Sequence, residues 1–576
     1  MARKIKKTEF LVILLIVLLG GFLRFYKLDW GEGFFFHPDE YHIVNSVNQL
    51  SFPDQMNPNF FSYGSFTVYL IYFTKLFLTT IGTEITYPAT FLLGRFYSAL
   101  FSTLTVFVVY QISKSIFKKR YLKVLATFLV AILPGLIQQA HYATPESSLT
   151  FWLFLTLHLW IKFLKKRATS DLYLSGLTIG IALSVKIVAA TFLSGFALIF
   201  FIKSFLMEEE ILVILKKIVT TLFIAVATFA AIFPYSILDW KNFRHSVDYE
   251  TSLAQGDPLV FYTRQFSETY PILFQFEKIL PYTLGPVVVA TGSAGFFCLL
   301  FTIFKKVLKK KTRPMDDVLI GKEKEGWFSF NIKSKKNIGT YLLFTVVFFC
   351  YFIPNAFLFT KWTRFIAPSF PFWAIFSVIL IDSISRYKKL AMGLAAFVVI
   401  STSVWASMFF SVYINDDVRV KATKWISENI AQSEFILTET RNMLEVPLTG
   451  GYQKLAFDFY ELDQDSSLLP NLVHNLETSD YFIIQTRRIY KNHLRFPEKY
   501  PLVNSFYKNL FNGSLGFFEV AEFTSYPQIS LGKISLEIPD ENAEETWSVF
   551  DHPRIIVYKN EKRLQSEEIL ATLKSR

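Results

Sequence analysis

The sequence is poor in charge. Asp, Glu, Lys and Arg make up 18% of its 576 residues, against about 25% in an ordinary soluble chain. There are two cysteines, Cys298 and Cys350, both inside apolar runs; neither a disulfide framework nor a thiolate metal site is indicated. The chain has no P-loop, no GxGxxG dinucleotide fingerprint and no GxSxG elbow, so ATP-driven transport and hydride chemistry lose support. A small-x-small cleavage site is missing after the first apolar run, which reads MARKIKK and then hydrophobic residues up to Arg24, Phe25 and Tyr26. That run is therefore expected to be a retained signal-anchor helix. No repeat or low-complexity tract stands out.

Apolar residues fill the space that charge leaves. They are 52% of the chain, 18% is aromatic, and mean hydropathy is +0.34. Long apolar runs alternate with short Lys/Arg clusters, the pattern of helices that pair every backbone polar group inside lipid. A span needs about 20 mostly apolar residues, and the runs predict about eleven spans. They fall near 9–26, 91–113, 124–140, 147–164, 172–186, 188–205, 218–237, 282–304, 338–358, 368–386 and 389–413. Residues 63–82 are apolar but carry Lys75 and many aromatics, and read as one or two interfacial helices; the alternative is a true span, which would invert the register after it and scatter the basic clusters. Six basic clusters then lie on one side, including Lys118–Lys119–Arg120 and the start of a basic loop at 305–337. This satisfies the positive-inside rule and accounts for the net charge of +12 without nucleic acid. An odd span count puts the N-terminus in the cytoplasm and residues 414–576 outside.

The expected fold is a polytopic α-helical membrane domain over 1–413, with an external loop at 27–90, followed by a small extracytoplasmic α/β domain over 414–576. In that tail, VRVKATKWISENIA has helical period, with Val418, Ala422, Trp425, Ile426 and Ile430 on one face. FILT, YFIIQT and RIIVYKN read as strands.

Chemistry concentrates at the outer face. GEGFFFHPDEYHIVNS (31–46) places Asp39 and Glu40 directly after a proline beside the membrane. A carboxylate held there is costly to keep charged, and partial desolvation would improve it as a general base. The competing reading is a helix start, where acids complement the dipole. HYATPESSLTFW (141–152) repeats the pattern with His141 and Glu146. External cations are Arg95 in GRFYSAL, Lys186 in GIALSVKIVAA, Arg264 in FYTRQFSETYP, and Lys361 and Arg364 in FLFTKWTRFIAPSFP. Singly, each could snorkel to the headgroups; convergent, they suit a phosphate. His37 and His42 flank the acid pair and have the residue types for a divalent metal, although the spacing is no known motif.

Asp39-Glu40 in the first external loop, GRFYSALFSTLTVFVVY on the second span, ATPESSLTFW after the third, TYPILFQFEKILPYTLG and KWTRFIAPSFPFW occur in an order that resembles the phospholipid-carrier-dependent glycosyltransferases. These belong to the GT-C class; protein O-mannosyltransferase and the aminoarabinose transferase are relatives. The resemblance covers roughly 1–415. In the tail, VKATKWISENIAQSEFILTE and FDHPRIIVY resemble domains of prokaryotic members.

The resemblance implies transfer of a sugar from a polyprenyl-phosphate donor to a hydroxyl or amine on a protein, lipid or glycan, with inversion and release of polyprenyl phosphate. It implies Asp39 as general base, Glu40 orienting Asp39 or binding sugar, and Arg95, Lys361 and Arg364 on the leaving phosphate. Glu146 would contact sugar or acceptor. His141, Lys186 and Arg264 complete the expected substrate-binding set. No cofactor is required, with a divalent metal left open. The long luminal insertion of eukaryotic protein mannosyltransferases is absent, so the acceptor is open too, and a prokaryotic plasma membrane is expected. Two alternatives stand beside this one: a transporter or flippase of lipid-linked substrates, which should show two similar halves and mid-membrane charges, and an oligosaccharyltransferase-like enzyme using a lipid-pyrophosphate donor.

Overall fold

The computed structural model describes residues 2–309, 335–440, 445–448, 450–531 and 534–574; most of the basic loop expected at 305–337 lies outside them. The chain forms two compact units. The first comprises Met1–Leu28, Asp39–Gln255 and Tyr270–Ala406, and the second Asp29–Pro38, Gly256–Thr269 and Ser407–Arg576.

Among the described residues, nine helices are long and apolar enough to cross a bilayer, from Thr8–Phe25 to Lys388–Ile414. A tenth is a pair, Arg120–Ile132 and Pro134–Ala140, bent by 51°. An eleventh apolar helix, Thr169–Val185, has 17 residues, just short of a full span. Together they fall where the eleven apolar runs were read. The segment expected at the interface holds a helix of 16 residues, Ser65–Thr80.

The bend has a local cause. Pro134 has no N–H and crowds the carbonyl four residues back, that of Val130. Arg24, fully buried near the end of the first helix, donates to the carbonyls of Val130 at 3.2 Å and Ala131 at 2.7 Å. Its Nε donates to Ser102 Oγ at 2.7 Å. One guanidinium thus satisfies the backbone groups that proline leaves open inside an apolar bundle. Thr363–Ser383 runs through the bundle centre, 89% of its apolar window buried, against 22% for Thr8–Phe25. Around it Phe344, Phe348, Phe372 and Phe376 pack with ring centroids 4.8–5.5 Å apart. Part of the phenylalanine content is accounted for in this core.

The second unit is built on a five-stranded sheet. Its strands are β1 (Phe435–Glu439), β2 (Gln453–Phe457), β3 (Tyr481–Ile484), β4 (Phe517–Phe523) and β7 (Ile555–Asn560); β5 (Gln528–Leu531) and β6 (Ile534–Glu537) form a separate hairpin. The order is β2-β1-β3-β7-β4, with β1 parallel to β2 and β3, and β7 antiparallel to β3 and β4. The three strands legible in the sequence are the three central ones. Both of their faces are covered, so they read as continuous apolar runs. Ile436, Ile483 and Val557 meet Val418, Ala422 and Ile426 of helix Val418–Asn429 and Ile430 just after it. Leu437, Phe482 and Ile556 face Leu472, Val503 and Phe506 on the other side.

A buried polar knot lies in the same unit. His552, with no solvent exposure, bonds Asp551 through Nδ1 and Asp540 through Nε2 at 2.8 Å. Trp547 Nε1 donates to Asp540 at 2.7 Å, and Tyr413 donates to Asp551 at 2.8 Å. Burial alone would depress the imidazole, but the two carboxylates outweigh it and its pKa rises to about 10.

Candidate active site

Helix Pro38–Gln49 starts on a proline, whose fixed φ suits the first helical position, and its first turn carries Asp39 and Glu40. Neighbours on a helix point about 100° apart, so the two acids diverge. Glu40 turns inward. Both of its oxygens accept from Arg95, from Nε and Nη2 at 2.8 Å each, and Oε1 also accepts the Ala143 N–H at 2.7 Å. Arg95 Nη1 donates to the Leu28 carbonyl at 2.7 Å. Glu40 and Arg95 have side-chain exposures of 0%. This is a bidentate pair in a dry site, tying the acid helix to Tyr87–Ile116 and to the turn before Glu146.

Asp39 stays accessible. Its side chain is 18% exposed and pairs with Arg364, itself 20% exposed. Tyr63 Oη donates to Asp39 Oδ2 at 2.8 Å. Burial, then the Glu146 and Glu250 carboxylates, hold the Tyr63 phenol well above its ordinary pKa, so it serves as a donor. Tyr63 was not read as a site residue; the aromatic stretch FFSYGSF gives no sign of which ring turns toward the acid.

A second pair adjoins the first. Lys186 Nζ donates to Glu146 Oε1 at 2.9 Å and sits 5.1 Å from the ring centres of both Tyr63 and Phe365. Glu146 is 1% exposed, at the first position of helix Glu146–Lys166, and its Oε2 finds no hydrogen-bond partner among the described residues. Register between the pairs is set at Gly64, which donates its N–H to the Val185 carbonyl at 3.0 Å. A Cβ there would lie 2.0 Å from the Ser184 carbonyl oxygen.

The expected residues divide. Asp39, Arg364, Glu146 and Lys186 form one cluster with Tyr63. Glu40 and Arg95 pair with each other as a buried brace. Lys361, 3% exposed, donates to the Phe359 carbonyl at 2.9 Å, and burial lowers its pKa. His141 is fully buried, its ring nitrogens facing the carbonyls of Ile137 and Tyr26. Arg264 belongs to the second unit. It bonds His493 at 2.7 Å and the Tyr460 carbonyl, and lies over the Tyr460 and Tyr500 rings. His42 stacks on Phe60, and His37 packs on Phe550. Among the described residues no three His, Cys, Asp or Glu side chains converge as a metal site needs, so the metal expectation for His37 and His42 finds no ligand set.

Asp39, Glu40, Tyr63, Arg95, Glu146 and Lys186 all lie in one N-terminal stretch with a recognisable family signature. Residues 14–247 match the dolichyl-phosphate-mannose-protein mannosyltransferase family. That match covers the N-terminal part of the chain and makes this part similar to membrane glycosyltransferases of the phospholipid-carrier-dependent kind. No curated protein sequence matches the chain. Its fold is similar to the archaeal oligosaccharyltransferase AglB from Archaeoglobus fulgidus, at TM-score 0.53 and 11% identity over 87% of this chain and 72% of that one. ArnT from Cupriavidus metallidurans aligns at TM-score 0.42 and 12% identity, over 85% and 95% of the two chains. The likeness to AglB shows a GT-C fold.

Proposed function

We propose that this glycosyltransferase moves a sugar from a polyprenyl-phosphate donor to a hydroxyl or amine acceptor on a protein, lipid or glycan, with inversion, at the extracytoplasmic face of a prokaryotic plasma membrane. The observation that carries the assignment is the split of the acid pair. Glu40 is sealed onto Arg95, while Asp39 is solvent-reachable, with Arg364 and Tyr63 on one oxygen.

In the reaction, the acceptor oxygen or nitrogen forms a bond to the anomeric carbon. The bond from that carbon to the phosphate oxygen breaks, and polyprenyl phosphate leaves with the electron pair. The acceptor proton passes to the Asp39 carboxylate and then to solvent. At rest Arg364 pairs with the Asp39 carboxylate. When donor phosphate draws the guanidinium, the phosphate gains charge stabilisation as it departs, and the Asp39 carboxylate is left open to the acceptor proton. Phosphate needs no general acid to leave. The Glu146–Lys186 pair offers one unpaired carboxylate oxygen to a hydroxyl of sugar or acceptor.

The one-sided basic clusters support a cytoplasmic N-terminus and an extracytoplasmic tail. The test gives purified protein a panel of polyprenyl-phosphate sugars and follows release of the lipid phosphate. Asp39→Asn lowers turnover by about 10²–10⁴-fold and, at a part-exposed position, leaves the fold intact. If no donor is consumed, or if Asp39→Asn turns over normally, the assignment is wrong.

A further inference from the structure

Helix Trp240–Gln255, in the loop after the span Ile211–Ile232, has one inward face. Phe243 and Leu253 are buried, and Ser246, Val247, Glu250 and Ala254 are half-buried. Arg244 and Asp248 pair with each other on the outer side, at 68% and 67% exposure. At about 100° per residue, the six inward positions fall within about a third of the helix circumference, with Glu250 at its middle. No other charged residue shares that face.

Both ends of the face touch segments that carry the site. Phe243 packs on Phe61, just before Tyr63 in the chain, with ring centres 6.1 Å apart. The Ala254 carbonyl accepts the Phe359 N–H at 2.9 Å, in the segment that leads to Arg364. Glu250 lies between these two contacts on the same face, so the helix holds it between the loop of Tyr63 and the loop of Arg364. The Tyr63 phenol registers it: burial first, then the Glu146 and Glu250 carboxylates, raise its pKa. The helix, both loops and the cluster around Asp39 all belong to the first unit.

The other acids here come with cations. Asp39 has Arg364, Glu146 has Lys186 and Glu40 has Arg95. Glu250 meets no cation and no hydrogen-bond donor among the described residues. It adds one uncompensated carboxylate on the loop side of the site. A polyprenyl tail ties the donor to the bilayer, which leaves the loop side to the acceptor. We propose that Glu250 is an acceptor-specificity residue: it favours an acceptor with a protonated amine beside the reacting hydroxyl and disfavours one with an anion there. A carboxylate holds the first by a charge-assisted hydrogen bond and repels the second. The reacting hydroxyl still gives its proton to Asp39, and the amine keeps its charge. The inference rests on the proposed transfer reaction with Asp39 as base.

The experiment measures release of lipid phosphate by the full chain from a polyprenyl-phosphate sugar, with ethanolamine, ethylene glycol or glycolate as acceptor at one ionic strength. Each offers a primary hydroxyl, and they differ in charge. In the parent, kcat/KM for the acceptor should fall about 10-fold from ethanolamine to glycolate, with ethylene glycol between them. Glu250→Gln should flatten the series and Glu250→Lys should reverse it, while KM for the donor stays within about twofold. Equal rates with the three acceptors in the parent, or none above release to water, overturn the role of Glu250. The parent order persisting in Glu250→Lys, or a change confined to the donor KM, also overturns it. With Asp39→Asn inactive, these outcomes leave the transfer assignment standing. Normal turnover by Asp39→Asn, or no donor consumed by the parent, overturns the assignment and this inference together.

Discussion

Replacing Arg95 by methionine separates a buried brace from a phosphate ligand. In the structure Glu40 accepts three hydrogen bonds, two from Arg95 at 2.8 Å and one from the Ala143 N–H at 2.7 Å. Arg95→Met removes two of the three and leaves a carboxylate of zero exposure with one neutral donor. Breaking a buried pair from one side costs about 3–5 kcal/mol, because the remaining charge stays desolvated. A folded domain has about 5–15 kcal/mol in all, so the loss is large. Removing both charges is different: an apolar pair of similar volume is often neutral or better, here reduced by about 1–3 kcal/mol for the orphaned Ala143 N–H.

The assay is thermal unfolding in detergent, followed by tryptophan fluorescence, on Arg95→Met, Glu40→Leu and the double variant as a thermodynamic cycle. Arg95→Met should unfold several degrees lower than the parent, and the double variant should recover part of the loss. If Arg95→Met unfolds like the parent while its affinity for polyprenyl phosphate falls, the guanidinium faces the ligand and the brace is refuted.

Gly64→Ala places a methyl group 2.0 Å from the Ser184 carbonyl oxygen. Backbone must move against backbone, and Tyr63 moves with it, so thermal stability falls by about 1–3 kcal/mol and turnover falls too; unchanged stability and turnover would show that the contact of Gly64 with the end of helix Thr169–Val185 does not set the site. For His552, the folded pKa of about 10 lies above the unfolded value of about 6.5. The imidazolium therefore stabilises the tail fully below about pH 6.5, and this contribution is lost as pH rises toward 10. Limited proteolysis of the tail should accelerate between pH 7 and 10 in the parent and lose much of that dependence in His552→Gln; an identical profile in both would sink the assignment.

Much of this was legible because lipid and sheet impose coarse constraints. A bilayer demands long apolar runs, and eleven could be counted. The bend at Pro134 follows from a missing N–H, but its tolerance depends on Arg24, 107 residues from Ala131 along the chain. In the tail, central strands covered on both faces gave continuous apolar runs at β1, β3 and β7. Edge strand β2 is exposed along most of its length, and β4 mixes Phe with Glu519 and Glu522, so neither carries a clean period. Within the site, the helix start at Pro38 and the two acids were plain; that one points in and one out was not, since adjacency in sequence says nothing of what each side chain meets.

The sequence by itself determined the membrane class, the number of apolar helices, the core strands of the tail and the stretches that carry the acid pair and the candidate cations. These depend on composition and on periods of a few residues. Only the tertiary structure decided which cation each carboxylate takes. Glu40 reaches Arg95 across 55 residues and Asp39 reaches Arg364 across 325, and a choice among cations so far apart in sequence is made by packing, burial and distance in space.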